Sequence, residues 1–247
     1  MGNLRNFVVT GAGSGLGQAI ARRLVMNGQA NVLGVSLEAA PLVEMEADLG
    51  PRFRGFAADL LEPESAAASI EACSKAFGPV DVLINNVGAG NSMPLHQASD
   101  EDLMFFININ LGTTFRMSRE ALKVMLPARS GVILNMVSAL AMVAQPGQAP
   151  YVAAKGALIA LTKQMAAEYG PYNVRVNAVA PGLTETPFTA ERIADGIFDG
   201  VINATPLRKL SKADDIAAMT EFLCSPDADN VTGQVIAVDG GWSMSKT

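Results

Sequence analysis

The sequence predicts one α/β domain over residues 1–247, a doubly wound parallel sheet of about seven strands with helices on both faces. Three observations predict it. Short apolar runs alternate with helical patterns from end to end. Most of those runs are near-continuously apolar, as strands covered on both faces are. Glycines and small polar residues gather where the runs end, which is where an open parallel sheet keeps its ligand crevice. No linker, low-complexity tract or internal repeat divides the chain.

Phe7 to Thr10 is the first expected strand, and it ends in the glycine-rich stretch Gly11 to Gly17. A helix follows with Leu16, Ala19, Ile20 and Leu24 on one face and Arg22, Arg23 and Asn27 on the other. Gly28 sits where a helix C′ glycine belongs. Asn31 to Ser36 and Phe53 to Ala58 read as the next two strands, the latter reaching Asp59 and Leu60. Pro63 to Phe77 is an Ala-rich helix opened by Pro63 and closed by Gly78-Pro79. Val80 to Ile84 is the fourth strand and runs into Asn85-Asn86-Val87-Gly88.

A polar loop then leads to a long helical stretch from about Ser99 to Met125, with Asp100, Glu101 and Asp102 at its positive end. Val132 to Val137 is the fifth strand, and Ser138 follows it. The next helix runs from about Pro150 to Tyr169, and Val174 to Val179 is the sixth strand, ending at Pro181-Gly182. Residues 183–210 contain Pro187, Gly196, Gly200 and Pro206, so broken helix and loop are expected, covering a substrate. Lys212 to Leu223 is the last helix and Gln234 to Val238 the last strand.

Composition excludes several functions. A net charge of −6 gives no electrostatic reason to bind nucleic acid or an anionic membrane. One His (His96) and two distant Cys (Cys73, Cys224) cannot build a His/Cys metal cluster, and the two thiols are expected buried and free. Residues 130–154 carry no charge, but Asn135, Gln145, Pro146, Gly147, Gln148 and Pro150 interrupt any membrane helix there. No signal pattern precedes Phe7, and Asn6 stands where a myristoylation signal needs Ser or Thr. A cytoplasmic location is the expectation.

The chemistry centres on Tyr151-Val152-Ala153-Ala154-Lys155, with Ser138 thirteen residues earlier. Tyr and Lys four apart on a helix project from one face. A phenol exchanges protons poorly at neutral pH because its pKa is ~10, and a fixed ammonium beside it favours the phenolate. A nearby Ser hydroxyl can hold a carbonyl or alkoxide oxygen while the proton moves. The glycine loop between strand and helix lets backbone N–H groups approach a pyrophosphate at the helix N-terminus. Its spacing is TGxxxGxG (Thr10, Gly11, Gly15, Gly17), with Gly13, Gly15 and Gly17 recurring.

In this order TGxxxGxG, the NNVG of Asn85 to Gly88, Ser138, YxxxK and Pro181-Gly182 resemble the short-chain dehydrogenase/reductase family over essentially the whole chain. The resemblance implies a Rossmann-type fold and a nicotinamide cofactor. It implies that Tyr151 is the general acid/base, that Ser138 holds the substrate oxygen, and that Lys155 lowers the Tyr pKa and binds the nicotinamide ribose. Asn110 matches the family's helix Asn, which holds a water linking the Lys to solvent. Gly11, Ser14, Leu16 and Gly17 fall in the phosphate loop. Asp59 and Leu60 resemble the adenine contacts, Asn86 and Gly88 the groove lining. Pro181, Gly182, Thr184 and Thr186 resemble the nicotinamide side of the site. Simpler roles stand beside these: Asp59 as a turn residue, Asn110 as a buried hydrogen-bonding group, Thr186 as an N-cap before Pro187. The methionines, Met93, Met136 and Met142 among them, read as core or pocket filler, and His96 as a solvated side chain.

One position departs from the pattern. Members that use NAD commonly end the second strand with an acid for the ribose hydroxyls; here Ser36 is followed by Leu37 and Glu38. Neither that acid nor an Arg for a 2′-phosphate is present, and Glu38 opposes a phosphate, so the expectation is NAD or NADP with a slight lean to NAD. The expected reaction is reversible hydride transfer between the nicotinamide and a small secondary alcohol or ketone. The Tyr–Lys spacing argues against the enoyl-reductase branch of the fold. Two alternatives remain: a 3-oxoacyl-carrier-protein reductase, with Arg129 but also Tyr172 on its docking surface, and a cofactor-sensing protein without the reaction. Met93, Met142, Val143, Phe188, Gln145 and Gln148 are expected pocket walls. A homotetramer built on the two long helices and the last strand is implied by the resemblance.

Overall fold

The computed structural model describes residues 4–28, 30–90, 93–143, 145–186 and 189–246. In chain order its first half comprises β1 (Arg5–Thr10), α1 (Gly15–Met26), β2 (Ala30–Ser36), α2 (Ala40–Leu49), β3 (Phe53–Ala57), α3 (Ser65–Ala76), β4 (Val82–Asn85), α4 (Asp100–Phe106) and α5 (Thr113–Ala128). The second half comprises β5 (Gly131–Met136), α6 (Ala149–Tyr169), β6 (Val174–Pro181), β7 (Thr184–Glu185), α7 (Ala190–Ala194), α8 (Asp199–Ala204), β8 (Ser211–Lys212), α9 (Ala213–Cys224) and β9 (Val235–Val238).

Seven strands form one parallel sheet in the order β3-β2-β1-β4-β5-β6-β9, and β7 pairs with β8 apart from it. Successive side chains of a strand face opposite sides. Phe7 and Val9 accordingly enter a core with Ile20 and Leu24 of α1 and Ile216 of α9, whereas Val8 enters the other with Ile70 of α3, Met117 of α5 and Met165 of α6. Each face of the sheet has its own apolar layer, which is why the strands read as continuous apolar runs. The strand order reverses between β1 and β4, so the crevice of this sheet opens beyond Thr10 and Asn85.

One expectation is corrected, the unbroken helix Ser99 to Met125, and one helix was not foreseen. Residues between the second and third strands form α2, which buries only Leu42 and Met45 and so leaves a faint amphipathic signal. The long helix expected from Ser99 to Met125 is interrupted: a π-helical turn, Ile107–Gly112, joins α4 to α5, which continues to Ala128. Its acidic start is a capping box, with Ser99 Oγ accepting from Asp102 N and the Asp102 carboxylate accepting from Ser99 N. Within 183–210 the short helices α7 and α8 appear. Of the expected pocket walls, Phe188 lies outside the described residues, as does Pro187. Cys73 and Cys224 are buried and free, and no described helix is long and apolar enough to cross a membrane.

Candidate active site

The glycine loop is shaped by close backbone approach. A Cβ on Gly17 would lie 2.2 Å from the Gly11 carbonyl oxygen and 2.6 Å from Asn86 Nδ2. Gly11 and Gly15 have φ of +68° and +54°, the left-handed region that glycine enters without a steric penalty. Space is open beyond Gly15, where α1 begins. Ser14, the N-cap, makes no side-chain cap bond, and the first turn holds no acid. The orphan N–H groups and positive end of this twelve-residue helix therefore face outward beside the half-buried Leu16. A cleft of about 510 Å³ lies there, with Gly15 on one wall and Thr186 on another.

Thr10 ties this loop to the next strand end. Its hydroxyl accepts from the N–H groups of Asn86 (2.9 Å) and Val87 (3.1 Å), while Asn86 Nδ2 donates to the Thr10 carbonyl at 3.0 Å. Asn86 thus braces the loop as well as lining the crevice. At the edge, Ser36 ends β2 with its Oγ against Gly13, and Leu37 beyond it is 69% exposed. Asp59 is exposed and its carboxylate accepts from Leu61 N at 2.9 Å, so it serves the turn; Leu60 is buried in the apolar core. Gly182 packs so closely on Asp239 that a Cβ would meet it at 2.7 Å. Thr184 is buried and donates to the Gly182 carbonyl at 2.9 Å. The N-cap of α7 is Thr189 rather than Thr186, whose carbonyl accepts from Ala190 N at 3.0 Å and whose own N–H donates to Thr189 Oγ1 at 2.9 Å.

Ser138, Tyr151, Lys155 and Asn110 converge from β5, α6 and the π-helical turn. Ser138 hydrogen-bonds the phenol of Tyr151 and accepts from Leu140 N at 3.2 Å. Lys155 is buried, with its Nζ 5.9 Å from the centre of the Tyr151 ring and donating to the Met136 carbonyl at 2.8 Å. A Cβ on Gly88 would meet Asn110 Oδ1 at 2.6 Å and Lys155 Nζ at 3.0 Å, so Gly88 backbone brings those two groups together. Asn110 Nδ2 donates to the carbonyls of Ala89 (2.9 Å) and Phe106 (3.1 Å), which leaves its buried Oδ1 without a partner. A buried amide oxygen in that state is a place for a water or ligand donor.

The expected electrostatics differ in one respect. Burial pushes the Tyr151 phenol up, and the Ser138 hydrogen bond pulls it down by less. The depression expected from Lys155 does not appear, because burial lowers the lysine itself from 10.5 to about 8 and its ammonium is turned to Met136.

A buried polar chain beneath these residues was not foreseen. Asn85 Nδ2 donates to Ser118 Oγ and to Asn135 Oδ1, each at 3.0 Å, and Asn135 Nδ2 donates to Thr162 Oγ1 at 2.9 Å. Asn85 and Asn135 face each other across β4 and β5. Asparagine inside two otherwise apolar strands was the signal that could have found it.

A family model described as enoyl-(acyl carrier protein) reductase matches residues 11–243. The chain is 35% identical to the 3-oxoacyl-[acyl-carrier-protein] reductase FabG of Vibrio cholerae over 96% of each. The chain belongs to the short-chain dehydrogenase/reductase family. Among solved structures, this family member is similar to a 3-ketoacyl-(acyl-carrier-protein) reductase from Brucella melitensis complexed with NADH. There the TM-score is 0.90 at 32% identity, over 97% of this chain and 98% of that one. It is also similar to a putative gluconate dehydrogenase from Agrobacterium tumefaciens, with a TM-score of 0.91 at 31% identity over 97% and 96%. As a family member it is an oxidoreductase.

Proposed function

We propose that this oxidoreductase interconverts a ketone and a secondary alcohol with NAD or NADP. One observation carries the reading: Ser138, Tyr151, Lys155 and Asn110 meet at one end of the sheet, beside the glycine loop. The residues fit a nicotinamide dinucleotide. Gly11, Gly17 and the uncapped start of α1 suit its pyrophosphate; Asn86, Gly88, Pro181, Gly182, Thr184 and Thr186 line the remaining groove; Lys155 suits the nicotinamide ribose. When bound, that cofactor supplies the hydride or takes it.

The chain handles the proton. In reduction Tyr151 gives its phenolic proton to the carbonyl oxygen as the hydride reaches the carbon; in oxidation it takes the hydroxyl proton. Ser138 accepts from Leu140 N and keeps its single proton to donate, to the phenol when the site is empty and to the substrate oxygen when it is filled. Lys155 places positive charge beside the phenolate, and the open Asn110 Oδ1 offers a water position towards solvent. Residues 183–210 cover the substrate, with β7 and β8 anchoring both ends of the segment.

Ser36 and the exposed Leu37 offer no cation for a 2′-phosphate, which supports NAD over NADP. A groove of about 850 Å³ between α5 and α6, lined by Ile107, Leu111, Phe115, Ala157 and Leu161, supports the homotetramer. A 3-oxoacyl group on a carrier protein is a second reading, favoured by the identity to the Vibrio reductase. Arg129 weighs against it: its guanidinium donates to the Pro171 carbonyl at 2.9 Å and lies 5.7 Å from the Tyr172 ring centre, already engaged within the chain. Initial rates on a panel of ketones and alcohols, a carrier-linked 3-oxoacyl substrate included, with both cofactors, test these readings. Turnover of small ketones at rates above the carrier-linked one supports the first; the reverse order supports the second. No turnover of any member overturns both in favour of a sensing protein.

A further inference from the structure

The π-helical turn that carries Asn110 is an unusual backbone state, and two buried threonines hold its carbonyls. In an α-helix each carbonyl receives the N–H four residues on; in a π turn the donor lies five on. Here Thr113 N–H donates to the Asn108 carbonyl. Where such a turn returns to α bonding, the register slips by one residue and a carbonyl is passed over. The hydroxyls sit at this junction. Thr113 Oγ1 donates to the Ile109 carbonyl at 2.7 Å, and Thr114 Oγ1 donates to the Asn110 carbonyl at 3.1 Å. Both threonines are 2% exposed.

We infer that Thr113 and Thr114 are positioning residues that hold the π turn and thereby keep the Asn110 side chain against Gly88, beside Lys155. The geometry requires such a hold. A Cβ at Gly88 would be 2.6 Å from Asn110 Oδ1, so there is no slack between the Asn110 side chain, the Gly88 backbone and Lys155 Nζ. The Asn110 amide is fixed at its nitrogen by Ala89 and Phe106. Its backbone is fixed at the carbonyl by Thr114. A collapse of the turn to α geometry rotates Asn110 about the helix axis by roughly a 100° step per residue of register. That rotation removes Oδ1 from Gly88 and Lys155 and cuts the proton path without touching the substrate pocket.

The inference rests on the role of Asn110 proposed above, and the variants separate the two. Thr114→Val is nearly isosteric and deletes the hydroxyl; Thr114→Ser keeps it. The expected result for Thr114→Val is a fall in kcat of about tenfold, as for a modest misplacement of a functional group. The ketone KM should stay within about twofold and the pH profile of kcat should shift, since only proton delivery is disturbed. Thr114→Ser should restore both. Thr114→Ala and Thr113→Val, which relieve or relocate any misfit of the Val side chain, should move the pH profile the same way. Wild-type kcat and pH profile in Thr114→Val and Thr113→Val, or failure of Thr114→Ser to restore them, overturns the inference. Asn110→Ala separates the levels: full activity there overturns the Asn110 role itself, whereas a defect there with unaffected threonine variants overturns only the inference about Thr113 and Thr114.

Discussion

Lys155 Nζ donates to the Met136 carbonyl at 2.8 Å, so the lysine of the YxxxK pair is tethered to the end of β5. Burial lowers its pKa from 10.5 to about 8. A lysine whose folded pKa lies below its unfolded value releases its proton earlier in the native state. Between those two values the unfolded chain holds more protons, and stability rises with pH. The buried thiols act in the opposite sense: Cys73 and Cys224 are pushed up to about 12, so above the ordinary value of 9 the native state holds the extra protons and stability falls. The lysine effect is therefore separable between about pH 8 and 9. The melting temperature of the wild type should rise relative to Lys155→Met across that interval. A constant difference between the two would sink the shift assigned to Lys155.

Removing the phenol hydroxyl tests the proton step separately from binding. Tyr151→Phe keeps the ring against Gly90, whose Cβ position lies 3.6 Å from the Tyr151 ring, and deletes the group that Ser138 bonds. Turnover should drop by at least ~10³-fold, consistent with losing a general acid/base. Cofactor affinity, measured by fluorescence titration, should stay within about twofold because the glycine loop is untouched. Turnover of the true substrate near the wild-type rate by this variant would remove Tyr151 from the mechanism.

The strand order and the site were legible to different extents, for physical reasons. Strands such as Val82–Asn85, Gly131–Met136 and Val174–Pro181 are covered on both faces, so their largely apolar runs stood out and their ends located Asn86, Ser138 and Pro181. The helix Ala40–Leu49 covers the sheet with two buried side chains, too few to make a stripe. The π turn at Asn110 was hidden because Ile107, Leu111 and Phe115 keep a helical spacing whichever hydrogen-bond register the backbone adopts. The motif implied a lysine that acidifies the tyrosine, whereas the opposite drift of Tyr151 comes from desolvation, a property of the surrounding fold that no four-residue spacing encodes.

The glycines of TGxxxGxG should differ sharply in tolerance. A methyl on Gly17 would stand 2.2 Å from a backbone carbonyl oxygen, which cannot move without dragging the β1 end. A methyl on Gly15 meets nothing within 4 Å and costs only the left-handed backbone, about 1–2 kcal/mol. Gly17→Ala should lower the melting temperature more than Gly15→Ala and raise the cofactor Kd by at least ~10-fold, since the loop must open. Calorimetry and cofactor titration of the two variants check the order. Equal destabilisation would mean that the close approach of Gly17 to Gly11 does not constrain the loop.

The buried asparagine chain should matter for stability and for the seat of α6. Asn135 links Asn85 of β4 to Thr162 of α6, two turns beyond Lys155 on the same helix. Asn135→Ala deletes both bonds and leaves an Asn85 donor short of one acceptor, although Asn85 keeps Ser118 and Thr162 keeps the Leu158 carbonyl. The expected cost is about 1–3 kcal/mol, the penalty for stranding a buried polar group. Thr162→Val removes one bond from the same chain, so the double variant should cost less than the sum of the single losses. Urea unfolding of the four proteins gives the coupling directly. Strict additivity would show that Asn135 and Thr162 are stabilised independently and that no continuous chain ties α6 to the β4–β5 pair.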